Sequence, residues 1–287
     1  MELIPSVEWE AFRVWMLGTG HSASTTRKTA ANLRWFEREL GLRLEGLQLS
    51  AAIAFVGEHR DDRKPETLNN WVKDLNNWSR FRELGWRLKG FRVGDPPTVL
   101  CPTRKEATRV LRVSWSDPAT QSRNRAILYL LADGAIRRNE LVHVRVSDLV
   151  PPPHGPSVRI RKGKGDRERT VRLSAKTWSV IQEYVERYRN RSDAEALFTT
   201  PRGPLSYQFL GKVIQEAGRR AGIPWLSPHK LRHFAATDLL RVGVSVASIQ
   251  AQLGHSSVLT TQRYLQRRTV QEVADKELRA AGKRRFG

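Results

Sequence analysis

The stretch LGHSSVLTTQRYLQRR, Leu253 to Arg268, sets a single tyrosine, Tyr264, among arginines and hydroxyl residues near the end of the chain. Such a tyrosine is either an ordinary core or interface aromatic or a nucleophile aimed at a phosphate. A phenol has a pKa of about 10, so it attacks phosphorus well only where cations stabilise the phenolate and the charge that develops on the phosphate. The choice therefore turns on whether the rest of the chain supplies those cations. His255, directly after Gly254, is the first polar companion at hand.

Cations are abundant. The 287 residues carry 50 Lys plus Arg against 29 Asp plus Glu, a formal charge of +21, which implies a polyanionic partner such as double-stranded DNA. The excess by itself is also compatible with a ribosomal or membrane-surface protein. Acidic residues stand in MELIPSVEWEAFRVWMLG where a signal peptide has its basic region, and no run of about 18 apolar residues occurs, so a cytoplasmic, nucleoid-associated protein is expected. The lone Cys101 has no intramolecular partner, and no Cys/His cluster has zinc-ligand spacing, so neither a metal nor another cofactor is expected.

The length suits two domains. Apolar residues recur at helical spacing in WEAFRVWML, in STTRKTAANLRWFERELG with Leu33, Phe36 and Leu40 on one face, in SAAIAFVGEH and in PETLNNWVKDLNNWSRFRELG. This predicts a bundle of about four helices over 1–92. Its tryptophans (Trp9, Trp15, Trp35, Trp71, Trp78 and Trp86) read as core rather than as stacking platforms for bases. Arg27, Lys28, Arg34, Lys73 and Arg80 lie between them and either track phosphates or coat solvated helix faces. VGDPPTVLCP, residues 93–102, reads as a linker.

A second domain is expected over 103–287. TRKE, from Thr103, reads as a capping box, and RNRAILYLLADGAIRRNELVHV as a pair of helices. VRIRKGKGDRERTVRL predicts two strands around a basic turn. Helices are predicted to start near Lys176, Ser206, Pro228 and Ser245, with a last one from about Thr269 to Ala281. The fold expected is mainly α with a small β-sheet.

Three further clusters bear on Tyr264. In GAIRRNEL, Glu140 lies one helical turn beyond Arg137 and can hold its guanidinium, although a salt-bridged surface arginine would look the same. In RKGKGDRERTVRL, Lys164 stands between two glycines at the hairpin tip, within reach of a groove or simply solvated. In SPHKLRHFAATDLL, Pro228 starts a helix that puts His229 and Arg232 on one face, a proton acceptor beside a bidentate phosphate fork. His233 falls off that face and reads as structural.

The order Arg, Lys in a β-turn, His-x-x-Arg, His, Tyr, carried by GKGDRER, HKLRH and LGHSSVLTTQRY, resembles the tyrosine recombinase (phage integrase) family across residues 103–270, and the helical bundle more loosely resembles that family's core-binding domain. The resemblance implies a two-domain, C-shaped DNA clamp. It implies that Tyr264 is the nucleophile forming a 3′-phosphotyrosyl bond, that Arg137 and Arg232 clamp the phosphate, and that Lys164 protonates the leaving 5′ oxygen. His229 would be the general acid/base, His255 a phosphate ligand and Glu140 a supporting residue. Besides the bundle residues, Arg161, Lys162 and Arg167 are candidates for DNA contact. The resemblance further implies a homo-tetramer on paired sites, passing through a Holliday junction and joined through the C-terminal helix, although that helix, with Val270, Val273 and Leu278 at near-helical spacing, could equally pack on its own domain. With the bundle starting almost at residue 1, a simple Xer-like or minimal integrase type without an arm-site domain is expected. Ala135 departs from the family by replacing a glycine just before the first arginine. A DNA-binding protein without cleavage and a type IB topoisomerase remain as alternatives.

Overall fold

The computed structural model describes residues 6–94, 100–153, 155–161, 168–190 and 195–254. The chain divides into two compact units, Met1–Pro97 and Thr98–Gly287.

The first unit is built from α1 (Ser6–Gly18), α2 (Ala23–Leu40), α3 (Leu49–Glu58) and α4 (Pro65–Phe81). Local chemistry sets the ends of α2: the Ser22 hydroxyl accepts from the Thr25 N–H at 3.1 Å, and Gly41 closes the helix in the left-handed region. Phe12, Leu33, Phe36, Leu75 and Trp78 are fully buried at the centre. Trp9 and Trp71 are buried too, and Trp15, Trp35 and Trp86 pack partly buried against the same core, so the tryptophans are structural. Two of them satisfy their indole N–H groups on turn carbonyls, Trp78 on Leu44 at 2.8 Å and Trp86 on Leu47 at 2.9 Å.

Periodicity gives no hint of the path the chain takes after α4. It turns back and runs extended along the helix, held by two asparagines seven residues apart and therefore on one face. Asn76 accepts from the Leu88 N–H at 2.7 Å and donates to the Leu88 carbonyl at 3.0 Å. Asn69 makes the same pair of bonds with Phe91, at 2.7 and 3.0 Å. Each amide side chain thus substitutes for a neighbouring strand. Gly90 is required here, because a Cβ would stand 2.7 Å from Asn69 Oδ1.

The second unit opens with the expected capping box: Thr103 Oγ1 accepts from the Glu106 N–H at 3.2 Å, and Glu106 Oε2 from the Thr103 N–H at 2.7 Å, at the start of α5 (Arg104–Leu111). α6 (Pro118–Gly134) buries Ala126, Ile127, Leu128, Leu130 and Leu131. An apolar surface on several sides belongs to a central helix, and α6 packs against α8 (Ala175–Glu183) and α10 (Pro228–Arg241). The second helix of the expected pair, α7, covers only Arg138–Leu141. Beyond it the chain makes a 3₁₀ turn at Val146–Asp148 and enters β1 (Leu149–Val150), as the β-branched run Val142, Val144, Val146 favours.

β1, β2 (Ser157–Ile160) and β3 (Arg169–Arg172) form an antiparallel sheet in that order, with Val158 opposite Val171. The two predicted strands are β2 and β3. The two-residue β1 and a separate pair, β4 (Thr199–Thr200) with β5 (Gly203–Pro204), are too short to leave a periodic signal. α8 runs on into a π-helical turn at Tyr184–Tyr188. α9 (Tyr207–Arg220), α10 and α11 (Val246–Leu253) complete the unit. The predicted helix over 269–281 lies outside the described residues.

β3 is an edge strand, and α11 covers its end: the Gln252 amide accepts from the Arg172 N–H at 3.0 Å and donates to the Arg172 carbonyl at 2.7 Å. α11, α10 and the end of α6 meet around Ala135, Ala235, Ala236, Ile249 and Leu253. Ala135, the departure from the family's glycine, closes α6 with φ 52° and ψ 30°. The left-handed region costs alanine about 1–2 kcal/mol, and its fully buried methyl returns about 0.8 kcal/mol in that cluster.

Substitutions at two positions test this packing. Trp78→Phe removes ring volume and the donor to Leu44 and is expected to lower the unfolding free energy of the helical unit by about 2 kcal/mol in urea; an unchanged midpoint would contradict the account. At position 135 the strain and the methyl nearly cancel, so Ala135→Gly changes the stability of the second unit by less than about 1 kcal/mol. Ala135→Val, β-branched at positive φ in a full site, lowers it by about 2 kcal/mol or more.

Candidate active site

Two of the candidate residues within the described chain, Arg137 and Arg232, come together at the C-terminal end of α11. The last carbonyls of a helix have no partner inside it. Here three successive ones are met by three arginines from different elements. Arg169 Nε, from β3, donates to the Gln252 carbonyl at 3.1 Å, Arg232 Nη2, from α10, to the Leu253 carbonyl at 2.7 Å, and Arg137 Nη2, at the start of α7, to the Gly254 carbonyl at 3.2 Å. Arg232 also donates through Nη1 to the Ala135 carbonyl, and it is 3% exposed. The positive φ of Ala135 and the buried position of Arg232 are therefore parts of one arrangement.

Glu140 balances two of these cations. Its Oε1 accepts from Arg137 Nη1 at 2.7 Å and its Oε2 from the Arg137 backbone N–H at 2.9 Å. The same carboxylate takes both terminal nitrogens of Arg169, at 3.0 and 2.7 Å. Burial works against its charge, yet the hydrogen bond from Arg169 and then those from Arg137 hold the carboxyl below the ordinary glutamate value. The pairing of Arg137 with Glu140 read from their spacing is present. Arg169 is absent from the sequence-derived candidates, because nothing in the spacing of the hairpin distinguishes it from neighbouring basic residues.

α10 begins at Pro228 and is capped by Ser227, whose hydroxyl accepts from the Lys230 N–H at 3.3 Å. Its first turn carries His229. Burial, then the charges of Arg232 and Arg137, push the imidazole below its usual pKa, so it is neutral at pH 7. Both arginines thus act on the histidine that shares their site. His233 is lowered as well, chiefly by burial and then by His229, and its Nδ1 lies 3.2 Å from the Thr237 hydroxyl within the same helix. Lys164, His255 and Tyr264 lie outside the described residues. Among the described residues no group of three or more His, Cys, Asp or Glu is arranged to hold a metal ion.

The DNA-contact candidates separate. Lys28, Lys73 and Arg80 line a groove of about 630 Å³ in the helical unit, together with His21 and Arg87, two basic-type side chains that the sequence does not single out. At its wall Asp74 is buried and accepts from Thr29 Oγ1 at 2.7 Å and Asn32 Nδ2 at 2.6 Å; burial raises its pKa. Arg34 instead stacks over Trp9, 5.0 Å from the ring centre, and Arg80 over Trp15 at 5.7 Å. Arg27 is exposed on α2. Arg161 is tied to the buried Asp148 and to Ser147, so much of its guanidinium serves the sheet. Lys162 and Arg167 lie outside the described residues.

The geometry invites comparison with known proteins. The phage integrase family model matches residues 103–270. The chain is 31% identical over 247 residues to tyrosine recombinase XerA of Thermococcus onnurineus, covering 83% of this chain and 85% of that one. It is 39% identical over 159 residues to tyrosine recombinase XerD of Corynebacterium glutamicum, covering 53% and 51% respectively. In fold it is similar to the site-specific recombinase XerH bound to its difH substrate in a pre-cleavage complex, with a TM-score of 0.70 at 20% identity over 94% of this chain and 84% of that one. The order of Arg137, His229 and Arg232, the convergence of the two arginines on one helix end, and a family match over more than half of the chain lead to one conclusion: this protein belongs to the phage integrase family and is an Xer-like, site-specific tyrosine recombinase that breaks and rejoins DNA.

Proposed function

We propose that Tyr264 attacks the scissile phosphate of duplex DNA while Arg137 and Arg232 hold its non-bridging oxygens. The Tyr264 oxygen forms the bond to phosphorus, the bond to the 5′ oxygen breaks, and the product is a 3′-phosphotyrosyl ester with a free 5′ hydroxyl. His229 takes the phenolic proton, Lys164 protonates the departing 5′ oxygen, and His255 hydrogen-bonds the phosphate. Two guanidiniums aimed at one phosphate provide the charge stabilisation on which phosphoryl transfer mainly depends. Conserving the bond energy in the ester lets the strand be rejoined without a nucleotide cofactor.

The observation that carries this reading is the meeting of Arg137 and Arg232 on consecutive carbonyls at the end of α11, with a neutral His229 within the reach of both charges. A histidine that stays neutral at pH 7 is ready to accept a proton. Arg27, Lys28, Arg34, Lys73 and Arg80 on the helical unit, with Arg161, Lys162 and Arg167 by the hairpin, contribute phosphate contacts, the Lys28–Lys73–Arg80 groove being the principal one. Exchange between two duplexes calls for four protomers, linked through the segment after Tyr264, and for a Holliday junction between rounds of cleavage. Action on cellular DNA would put the protein in the cytoplasm, at the nucleoid. Integration, excision and dimer resolution share this chemistry.

The deciding experiment is covalent capture. Protein and sheared DNA from its source organism are mixed, stopped with SDS, and the attached DNA is sequenced beside a Tyr264→Phe control. Adducts at a discrete locus, lost in the control, are expected. Adducts scattered without a preferred site indicate a topoisomerase, and specific binding with no adduct indicates an inert DNA binder. The pH dependence comes from His229: because its pKa is depressed, the proton-accepting form persists below the ordinary histidine value of 6.5. At sub-saturating DNA, where the free enzyme's groups are reported, the acid limb of adduct formation is expected below pH 6.5, and it disappears in a slow His229→Asn variant. A limb at or above 6.5 would remove His229 from the role of base.

A further inference from the structure

Glu140 is 3% exposed at its side chain and sits between two cations, and its principal partner is Arg169 rather than Arg137. Arg169 engages both carboxylate oxygens fork to fork, while Arg137 offers one side-chain nitrogen and its backbone N–H. The Nε donor of Arg169 is spent on the Gln252 carbonyl. The chain also passes the Arg169 stem at a distance that only glycine permits. A Cβ on Gly254 would stand 2.8 Å from Arg169 Cδ and 2.9 Å from its Nε, and Gly254 has φ +62°.

We infer that Arg169 is a positioning residue for the phosphate clamp: it fixes Glu140, through Glu140 it orients Arg137, and it ties both to the end of α11 three residues before His255. The inference rests on the proposed role of Arg137. A buried carboxylate with only one arginine draws that arginine into a bidentate pair and uses up its fork. With Arg169 taking both oxygens, Glu140 keeps a single side-chain bond to Arg137, and the other donors of that guanidinium are directed elsewhere. Arg169 itself is 11% exposed at its side chain and acts through its neighbours. It begins β3, five residues after Lys164 in the sequence, and its side chain joins the start of α7 to the end of α11.

The test compares Arg169→Met, Glu140→Gln, the double variant and an Arg137→Lys control. Two quantities are read: the rate of covalent adduct formation on sheared source DNA at saturation, and the Kd for the same DNA. Arg169→Met is expected to slow adduct formation by about tenfold or more with Kd changed less than about twofold, since a small misplacement of a clamp group costs rate. The double variant is expected to be no slower than Glu140→Gln, because both changes break one chain of contacts. Arg169→Lys, which retains the charge without the fork, recovers part of the rate, and it carries the same comparison if the methionine variant does not fold. A wild-type rate for Arg169→Met overturns the inference. So do losses that multiply in the double variant, or a fall in affinity as large as the fall in rate, either of which would make Arg169 act on DNA independently of Glu140. If Arg137→Lys also cleaves at the wild-type rate, it is the clamp reading that fails.

Discussion

The carbonyl groups that end α11 need donors, and three buried or half-buried guanidiniums need acceptors; each requirement is met by the other. A helix C-terminus carries the negative end of its dipole, so cations are favoured there on electrostatic grounds as well as by hydrogen bonding. The match constrains the whole unit. Arg137 comes from the start of α7, Arg169 from the sheet and Arg232 from α10, and the end of α6 supplies the Ala135 carbonyl. The small side chains of Ala135, Ala235 and Ala236 permit the close approach that lets these elements share one helix end.

Concentrating positive charge in this way has an electrostatic cost that Glu140 offsets. Two arginines hold it ionised against the penalty of burial. Burial, and then the charges of Arg232 and Arg137, keep His229 neutral, and a neutral imidazole beside fixed cations is a suitable acceptor for a phenolic proton. On the proposed mechanism, a phosphate entering the cluster would oppose the same two charges and ease the protonation of the histidine as the tyrosine gives up its hydrogen. Organisation of the site thus precedes the substrate, which is where electrostatic catalysis draws most of its advantage.

The helical unit solves a different problem. Its aromatic core leaves an extended return segment without a strand partner, and Asn69 and Asn76 provide one from their side-chain amides. The basic groove lies on the same helix, formed by α4 and α2, with Asp74 at its wall tied to α2 through Thr29 and Asn32. Polar side chains on α4 therefore do two jobs on neighbouring stripes, holding the return segment and shaping a cationic surface.

The helical periodicity of residues 9–85, the capping box at Thr103 and the alternating strands around GKGDRER are local patterns, legible in the chain because propensity, capping and side-chain chemistry act over a few residues, whereas the order Arg137, His229, Arg232, His255, Tyr264 is legible through its resemblance to the recombinase family. That much determined a mainly helical protein with a phosphate-directed tyrosine chemistry. Arg169 was not legible, nor were the asparagine clamps or the groove residues His21 and Arg87. Arg169 meets Glu140 across 29 positions and Gln252 across 83, and among 50 basic residues no local feature marks it out. Which arginine faces a carboxylate, which faces a helix end and which lies over an aromatic ring, as Arg34 does over Trp9, is decided by the packing of distant elements, because hydrogen bonds and ion pairs form only between groups that the fold brings within a few ångströms of each other.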